Sequence, residues 1–276
     1  YSNVYSTSLS LDLNEFDLHE IEGYDGKYKI NLEHGTPILE YGMPDLPKIS
    51  TSIIIPDDLN MNIIIENAEY DEYQNINIAP SKGNITRDIN PNTVPFSYSD
   101  VYKQDGFYPG KLAENGESYI VRDLRGQRVI FYPIQYNPVS KTLRVYKNIE
   151  VKIESGDNIS HDPLLRKGND HTIQISKEFN NIYQNLFINY NTDTRFEYLP
   201  EQGNMLIISY DDFIDEMQPF IDWKNKKGIL TEIVGLNEVG NSTEQIQDYI
   251  NQYYNNNGLT FLLLVGDINQ MPTHIV

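Results

Sequence analysis

The sequence predicts a multidomain protein in which a β-rich, sandwich or barrel-like domain precedes an incomplete α/β domain with a parallel sheet. A length of 276 residues suits about two domains. The first half contains short β-prone runs between turn residues, whereas the second half alternates apolar strands with helical patterns. We expect a β-rich domain over residues 1–170, a helix and linker over 171–204, and the truncated α/β part over 205–276.

The β-rich half contains runs that end at Gly, Pro, Asn or Asp. The turn sequence Asn137–Ser140 predicts a hairpin between the two runs beside it. Residues 84–109 form a long segment with little hydrophobic periodicity, which is either a functional loop or an irregular connection. The expected strands cover residues 28–32, 52–55, 61–66, 73–78, 119–122, 127–136 and 142–154.

The second half has a helical stripe over residues 179–190 and then three apolar strands at 205–208, 230–234 and 259–265. Helical patterns separate the three strands, and the connections are short, which predicts parallel pairing with right-handed crossovers. Asp211 or Asp212 is expected to cap the first of these helices, and Ser242–Gln245 forms a capping box for the second. The third strand is continuously apolar, which favours a central position.

Composition excludes several classes of protein. Forty acidic residues against 21 basic ones give a net charge of -19, which disfavours binding to nucleic acids or anionic membranes. No apolar run approaches the roughly 20 residues of a membrane helix. The sequence has no Cys, so it contains no disulfide, no thiolate zinc site and no cysteine nucleophile. Because it begins at Tyr1 and stops just after an apolar strand, we expect an internal piece of a longer protein.

The residues alone reveal no complete active site. The turn Ser209–Asp212 lacks the glycines of a dinucleotide site, no phosphate loop or GxSxG motif occurs, and the five His are scattered. Asp267 ends an apolar strand, where parallel sheets gather catalytic groups. It either lies at a cleft edge, where it could orient a catalytic group or bind a cation, or caps the next turn. His274 has no nucleophile to serve in this sequence and fits an ordinary loop histidine better than a base.

Four motifs carry a family resemblance. They are Gly42–Pro47, Asp123–Arg128, Pro219–Gly228 and Leu262–Asp267, of which the last two are the more specific. With them, the sequence from about residue 20 onward resembles the gingipain-type cysteine peptidases of family C25, covering the propeptide and the N-terminal part of the catalytic domain.

The resemblance implies a secreted zymogen in which a β-rich propeptide, a folding aid and inhibitor, contacts a caspase-like catalytic domain. A His–Cys dyad attacks polypeptide substrates in that family. The dyad is expected downstream of Val276, so this chain is expected to be inactive alone. No cofactor is required, although Ca²⁺ would suit an acidic secreted peptidase as a structural ion. The expected location is outside the cell or on a bacterial cell surface.

The resemblance also points to a processing site and to inhibitory side chains. Arg195 stands in a polar linker about where the family cleaves after a basic residue, although proteases of trypsin-like specificity nick any exposed Arg. A basic side chain of the β-rich domain could occupy the specificity pocket of the peptidase, or could serve solubility alone. The candidates are Lys103, Lys111, Arg122, Arg125 and Arg128.

Two alternatives remain open. One is a sortase-like member of the same family in type IX secretion, which processes cargo signals. The other, from a different class, is a non-catalytic surface protein that uses the scaffold for binding, and a missing downstream dyad would identify it.

Overall fold

The computed structural model describes residues 2–164, 173–175, 177–190, 196–198 and 204–273. The chain divides into two compact units. The β-unit contains residues 1–173 and 180–196, and the α/β unit contains residues 174–179 and 197–276.

The β-unit is built from antiparallel sheets. A five-stranded sheet has the order β1-β2-β11-β10, with β7 also pairing with β11, and a four-stranded sheet has the order β5-β6-β9-β8. Strands β3 and β4 form a separate pair. The strands are β1 (Ser2–Asn3), β2 (Ser6–Asp12), β3 (Asp17–Glu20), β4 (Tyr28–Asn31), β5 (Thr36–Pro37), β6 (Pro47–Ile54), β7 (Leu59–Tyr73), β8 (Ala113–Val121), β9 (Leu124–Phe131), β10 (Ile134–Asn137) and β11 (Thr142–Ile159).

The two larger sheets enclose a common apolar core. Ile53 and Val129 from the four-stranded sheet cluster with Ile149 and Val151 from the five-stranded sheet, and all four side chains are fully buried. Burying each of them contributes about 1.5–3 kcal/mol. The described sheets stay open and form a sandwich, so the predicted β-rich architecture is confirmed as a sandwich and not as a barrel.

The expected strand over residues 127–136 is two strands in different sheets. Strand β9 ends at Phe131 and β10 begins at Ile134, and Pro133 lies between them. Proline has no N–H for a ladder, and its carbonyl accepts instead from the Tyr146 N–H at 2.8 Å. The chain therefore crosses from one sheet to the other at this residue. The predicted hairpin is confirmed, since Asn137 pairs with Thr142.

Strand β7 also differs from the prediction. It is one strand of 15 residues that runs through polar positions, and residues 73–78 do not form the separate strand that their alternation predicted. Pairing with β11, an 18-residue strand, explains the length of β7. The backbone hydrogen bonds between the two strands form regardless of whether the side chains are polar or apolar. The loop over residues 84–109 contains two 3-10 turns, at Pro91–Thr93 and Asp100–Lys103.

The end of the β-unit returns to its first long strand. After helix α1 (Lys177–Leu186), the side chain of Asn189 accepts from the Ile54 N–H at 2.7 Å and donates to Thr7 Oγ1 at 3.1 Å. Phe187 and Tyr183 are buried nearby. Residues 180–190 thus complete the β-unit, although they lie far along the chain from β2.

The α/β unit contains a three-stranded parallel sheet in the order β15-β14-β16. In the described part of the chain β14 lies between the other two strands, and β16 is paired on one side only, so the central position expected for the third strand in a complete sheet stays a prediction. Leu262 and Leu264 on β16 are 41% and 44% exposed, because β16 has a described neighbour on one side only. The elements are β14 (Asn204–Ser209), α2 (Gln218–Lys226), β15 (Leu230–Gly235), α3 (Leu236–Val239), α4 (Thr243–Asn257) and β16 (Phe261–Val265); β12 (Ile173–Ile175) and β13 (Phe196–Tyr198) form a separate pair.

Helices cover both faces of this parallel sheet. Leu206 and Ile208 pack with α3 and α4 on one face, and Ile207 packs with Ile221 of α2 on the other. Ser242 accepts from the Gln245 N–H at the start of α4, as the sequence predicted. This layering confirms the incomplete α/β fold.

Candidate functional site

The three parallel strands of the α/β unit end at one edge of their sheet. Ser209, Gly235 and Val265 are the last residues of β14, β15 and β16. The loops that follow them bring Asp211 and Asp267 to this edge. The part of the chain that the structure describes places no His here, and the sequence has no Cys.

Asp211 links two of these loops. Its carboxylate oxygens accept from the Asn237 N–H at 3.2 and 3.4 Å, at the start of α3. The expectation that Asp211 or Asp212 caps α2 is wrong, because both lie in the first of two 3-10 turns that precede that helix, whose N-cap residue is Met217. A Cβ at Gly235 would lie 2.2 Å from Asp211 Oδ1, so the absence of a side chain at Gly235 makes room for the carboxylate.

Asp267 organises the turn after β16. Its carboxylate accepts from the Ile268 N–H at 2.7 Å, and its backbone carbonyl accepts from the N–H groups of Gln270 and Met271 at 2.8 Å. The Gln270 side chain in turn accepts from the Asp267 N–H at 2.8 Å. These contacts describe a turn cap, and a second role of Asp267 at a cleft edge stays a prediction.

Two of the predicted positions lie outside the described residues. These are Arg195, the predicted processing site, and His274. Within the described ranges, no group of three or more His, Cys, Asp or Glu is placed to hold a metal ion. The Ca²⁺ expectation therefore stays a prediction.

The β8–β9 hairpin carries three of the basic candidates of the β-unit. Arg122 lies at its tip with φ +49°, and its Nε is 3.7 Å from Asp123 Oδ2. Arg128 is exposed on β9. Outside the hairpin, the exposed Lys103 pairs with Asp100, and Lys111 pairs with Glu114.

Arg125 is wrong as a candidate for a projecting inhibitory side chain. It lies within β9, is 1% exposed, and donates to the carbonyls of Pro56 and Leu59 at 2.9 and 2.8 Å. A residue with this burial cannot enter the pocket of another domain. The alternation of β9 gave a local hint, because Arg125 shares a face with the core residue Val129.

Asp162 is the charged partner of Arg125, and sequence reasoning missed it. Its Oδ1 is 2.8 Å from Arg125 Nη2, which also donates to Ser160 Oγ at 2.6 Å and Ser118 Oγ at 3.1 Å. Hydrogen bonds from Ser118 and Ser160, together with Arg125, hold the pKa of Asp162 well below its usual range. This network, the Arg125 cluster, fastens residues 160–162 to the sandwich.

Comparison with known families assigns both parts of the chain. The C25 propeptide family matches residues 7–196, and peptidase family C25 matches residues 198–275. The chain belongs to family C25. It consists of a C25 propeptide followed by the start of a C25 peptidase domain, and family C25 is a family of cysteine peptidases. The two matches confirm the family resemblance found in the sequence.

Relatives from Porphyromonas gingivalis agree with this assignment. Gingipain R1 is 32% identical over 98% of this chain, and Gingipain R2 is 34% identical over 87%. The chain spans only 27% of Gingipain R1 and 33% of Gingipain R2.

A solved complex of the RgpB pro- and mature domains from the same organism matches with a TM-score of 0.62 and 30% identity. It covers 69% of this chain and 96% of the matched chain. In that relative, the pro- and mature domains therefore form a complex with each other. None of the helices in the described ranges has the length and apolarity that a membrane span requires.

Proposed function

We propose that this chain is the propeptide and the opening catalytic segment of a secreted cysteine endopeptidase zymogen. The observation that carries the proposal is the order of the two matches, since a C25 propeptide at 7–196 leads directly into a C25 peptidase domain at 198–275. The α/β unit supplies the sheet scaffold, and the His–Cys dyad belongs to strands that follow Val276. The segment alone is therefore inactive towards polypeptide substrates.

Maturation of this zymogen occurs after Arg195. The propeptide match ends at residue 196, and the peptidase match begins at residue 198. A zymogen carrying Arg195→Ala should retain its propeptide, whereas Arg166→Ala, at a basic residue that precedes helix α1, should mature normally. N-terminal sequencing of the product decides the point: if the Arg195→Ala zymogen still matured at the same bond, the assignment would fail.

The β-unit inhibits the peptidase through the β8–β9 hairpin. Arg122 at the hairpin tip and Arg128 on β9 are the candidates, because both lie on this hairpin, Arg125 is buried within it, and Lys103 and Lys111 lie outside it. An arginine placed in a specificity pocket would compete with substrate for that pocket.

The test is to add the isolated segment 1–190 to the mature peptidase. We expect inhibition at micromolar concentration, a loss of at least tenfold in affinity for Arg122→Ala or Arg128→Ala, and no change for the matched control Lys103→Ala. A segment that folds, as circular dichroism reports, but does not inhibit would rule out the inhibitory role. A downstream dyad that proved incomplete would instead favour the non-catalytic binding protein.

A further inference from the structure

A hollow on the outer face of the four-stranded sheet has no assigned role. It has a volume of about 480 Å³ and is lined by Gly116, Glu117, Ser118, Tyr119, Arg128 and Ile130, which together form the bulge pocket. This volume lies in the range of small-molecule sites, about 300–1,000 Å³.

A β-bulge creates the pocket. Asn115 pairs with Val129 and Ser118 pairs with Gln127, so Gly116 and Glu117 together face the single residue Arg128. A bulge of this kind redirects side chains and bends the strand. It turns an acidic and a basic residue of neighbouring strands towards one hollow.

Glycine at position 116 keeps the pocket open. A Cβ at Gly116 would lie 3.2 Å from the Cβ of Arg128 and 3.8 Å from Cδ1 of Ile130. A larger side chain at this position would extend into the hollow. Its φ is not in the left-handed region, so the backbone itself does not demand glycine.

The two charged residues of the pocket are available to a ligand. Glu117 and Arg128 are both exposed, and neither forms an ion pair within the described ranges, with each other or with another side chain. A guanidinium offers a two-pronged donor that matches a carboxylate, and a carboxylate accepts from an ammonium group. The pocket therefore presents both halves of a charge-complementary site.

Tyr119 contributes an aromatic ring of fixed orientation and a hydroxyl group to the lining of the pocket. The Tyr119 ring stacks on Phe187 with centroids 6.3 Å apart, which holds its orientation. The hydroxyl of Tyr119 is buried without a hydrogen-bond partner in the described part of the chain. Buried polar atoms normally have partners, so this hydroxyl is a hydrogen-bonding group that no described residue uses.

We propose that the bulge pocket binds a small zwitterion, such as a free amino acid or a short peptide with both termini free. Arg128 holds the carboxylate, Glu117 holds the ammonium group, and Ile130 and the Tyr119 ring contact the apolar part. A phosphate-bearing ligand fits less well because Glu117 would repel it, and a wholly apolar ligand would leave both charges unused.

The experiment uses the full 276-residue chain and the dipeptide Gly-Leu as the probe, with binding followed by isothermal titration calorimetry. We expect millimolar or tighter binding. N-acetyl-Gly-Leu lacks the ammonium group and Gly-Leu-amide lacks the carboxylate, and each should bind at least tenfold more weakly. The proposal would be overturned if no binding of Gly-Leu were detected at millimolar concentration, or if the blocked peptides bound as tightly as Gly-Leu.

Variants localise the binding. Arg128→Gln and Glu117→Gln should each weaken the binding of Gly-Leu at least tenfold, and Gly116→Val should abolish this binding by filling the pocket. Lys103→Gln, which removes an exposed charge elsewhere on the β-unit, should leave it unchanged. Circular dichroism confirms that each variant folds. If Arg128→Gln and Glu117→Gln bound Gly-Leu as tightly as the unmodified chain, the bulge pocket would be excluded as the binding site, because these substitutions remove the charges that the proposal requires.

Discussion

The substitution Asp162→Asn tests whether the Arg125 cluster stabilises the β-unit. It removes the carboxylate paired with a guanidinium that is 1% exposed and keeps the size of the side chain. Breaking a fully buried pair costs about 3–5 kcal/mol. Asp162 itself is 32% exposed and the asparagine retains some hydrogen bonds, so we expect a loss of about 2 kcal/mol in the free energy of unfolding.

The assay is urea unfolding of the isolated segment 1–190 at neutral pH. The chain's single Trp is Trp223, which this segment lacks, so far-UV circular dichroism follows the transition. With an m-value of about 2 kcal/mol/M, the loss lowers the midpoint by about 1 M. Asp100→Asn is the matched control, because its ion pair with Lys103 is exposed and screened by solvent, so its loss should leave the midpoint almost unchanged. If Asp162→Asn cost no more than Asp100→Asn, the reasoning would be refuted.

The pH dependence gives a second readout of the same cluster. Hydrogen bonds from Ser118 and Ser160, and the charge of Arg125, lower the folded-state pKa of Asp162. Its carboxylate therefore contributes stability that is complete above the unfolded pKa of about 3.9. That contribution is lost as the pH falls through the lower folded-state pKa. The difference in stability between the unmodified segment and Asp162→Asn should thus shrink in acid and stay constant near neutrality.

Three other substitutions test separate contacts. Gly126→Ala places a Cβ 2.5 Å from Cε1 of Phe187, so overpacking should cost about 1–3 kcal/mol in urea unfolding of segment 1–190. Tyr183→Phe removes a buried hydroxyl 3.0 Å from Asp123 Oδ2 and should cost about 1 kcal/mol in the same assay, whereas a neutral result would show that water replaces the bond. Ser242→Ala removes the N-cap of α4 and should cost about 1 kcal/mol in thermal unfolding of the full chain; an unchanged midpoint would show that the cap is dispensable.

Local signals in the sequence predicted the features that depend on neighbouring residues. Asn137–Ser140 marked the hairpin, Ser242 marked the start of α4, and the strand–helix order marked a parallel sheet. Each of these depends on turn or capping chemistry within a few residues. The C25 motifs added the family, which residue types and spacing alone did not specify.

The errors arose where distant partners decide the outcome. Apolarity does not give the order of parallel strands: the described sheet has β14, and not the more continuously apolar β16, between the other two strands. Strand β7 is long because β11 is long, and Arg125 is buried because Asp162, 37 residues away, supplies its counter-charge. The bulge pocket likewise depends on the register of two strands, which no single run of residues reveals.

The bonds from Asn189 to Thr7 and Ile54 have a consequence for biosynthesis. Asn189 and Thr7 are 182 residues apart, so β2 cannot obtain this partner until the ribosome has made nearly the whole propeptide. At a rate of about 5–20 residues per second, the wait is about 9–36 s. During that interval the nascent sandwich lacks its closing segment, and its apolar strands are open to chaperones.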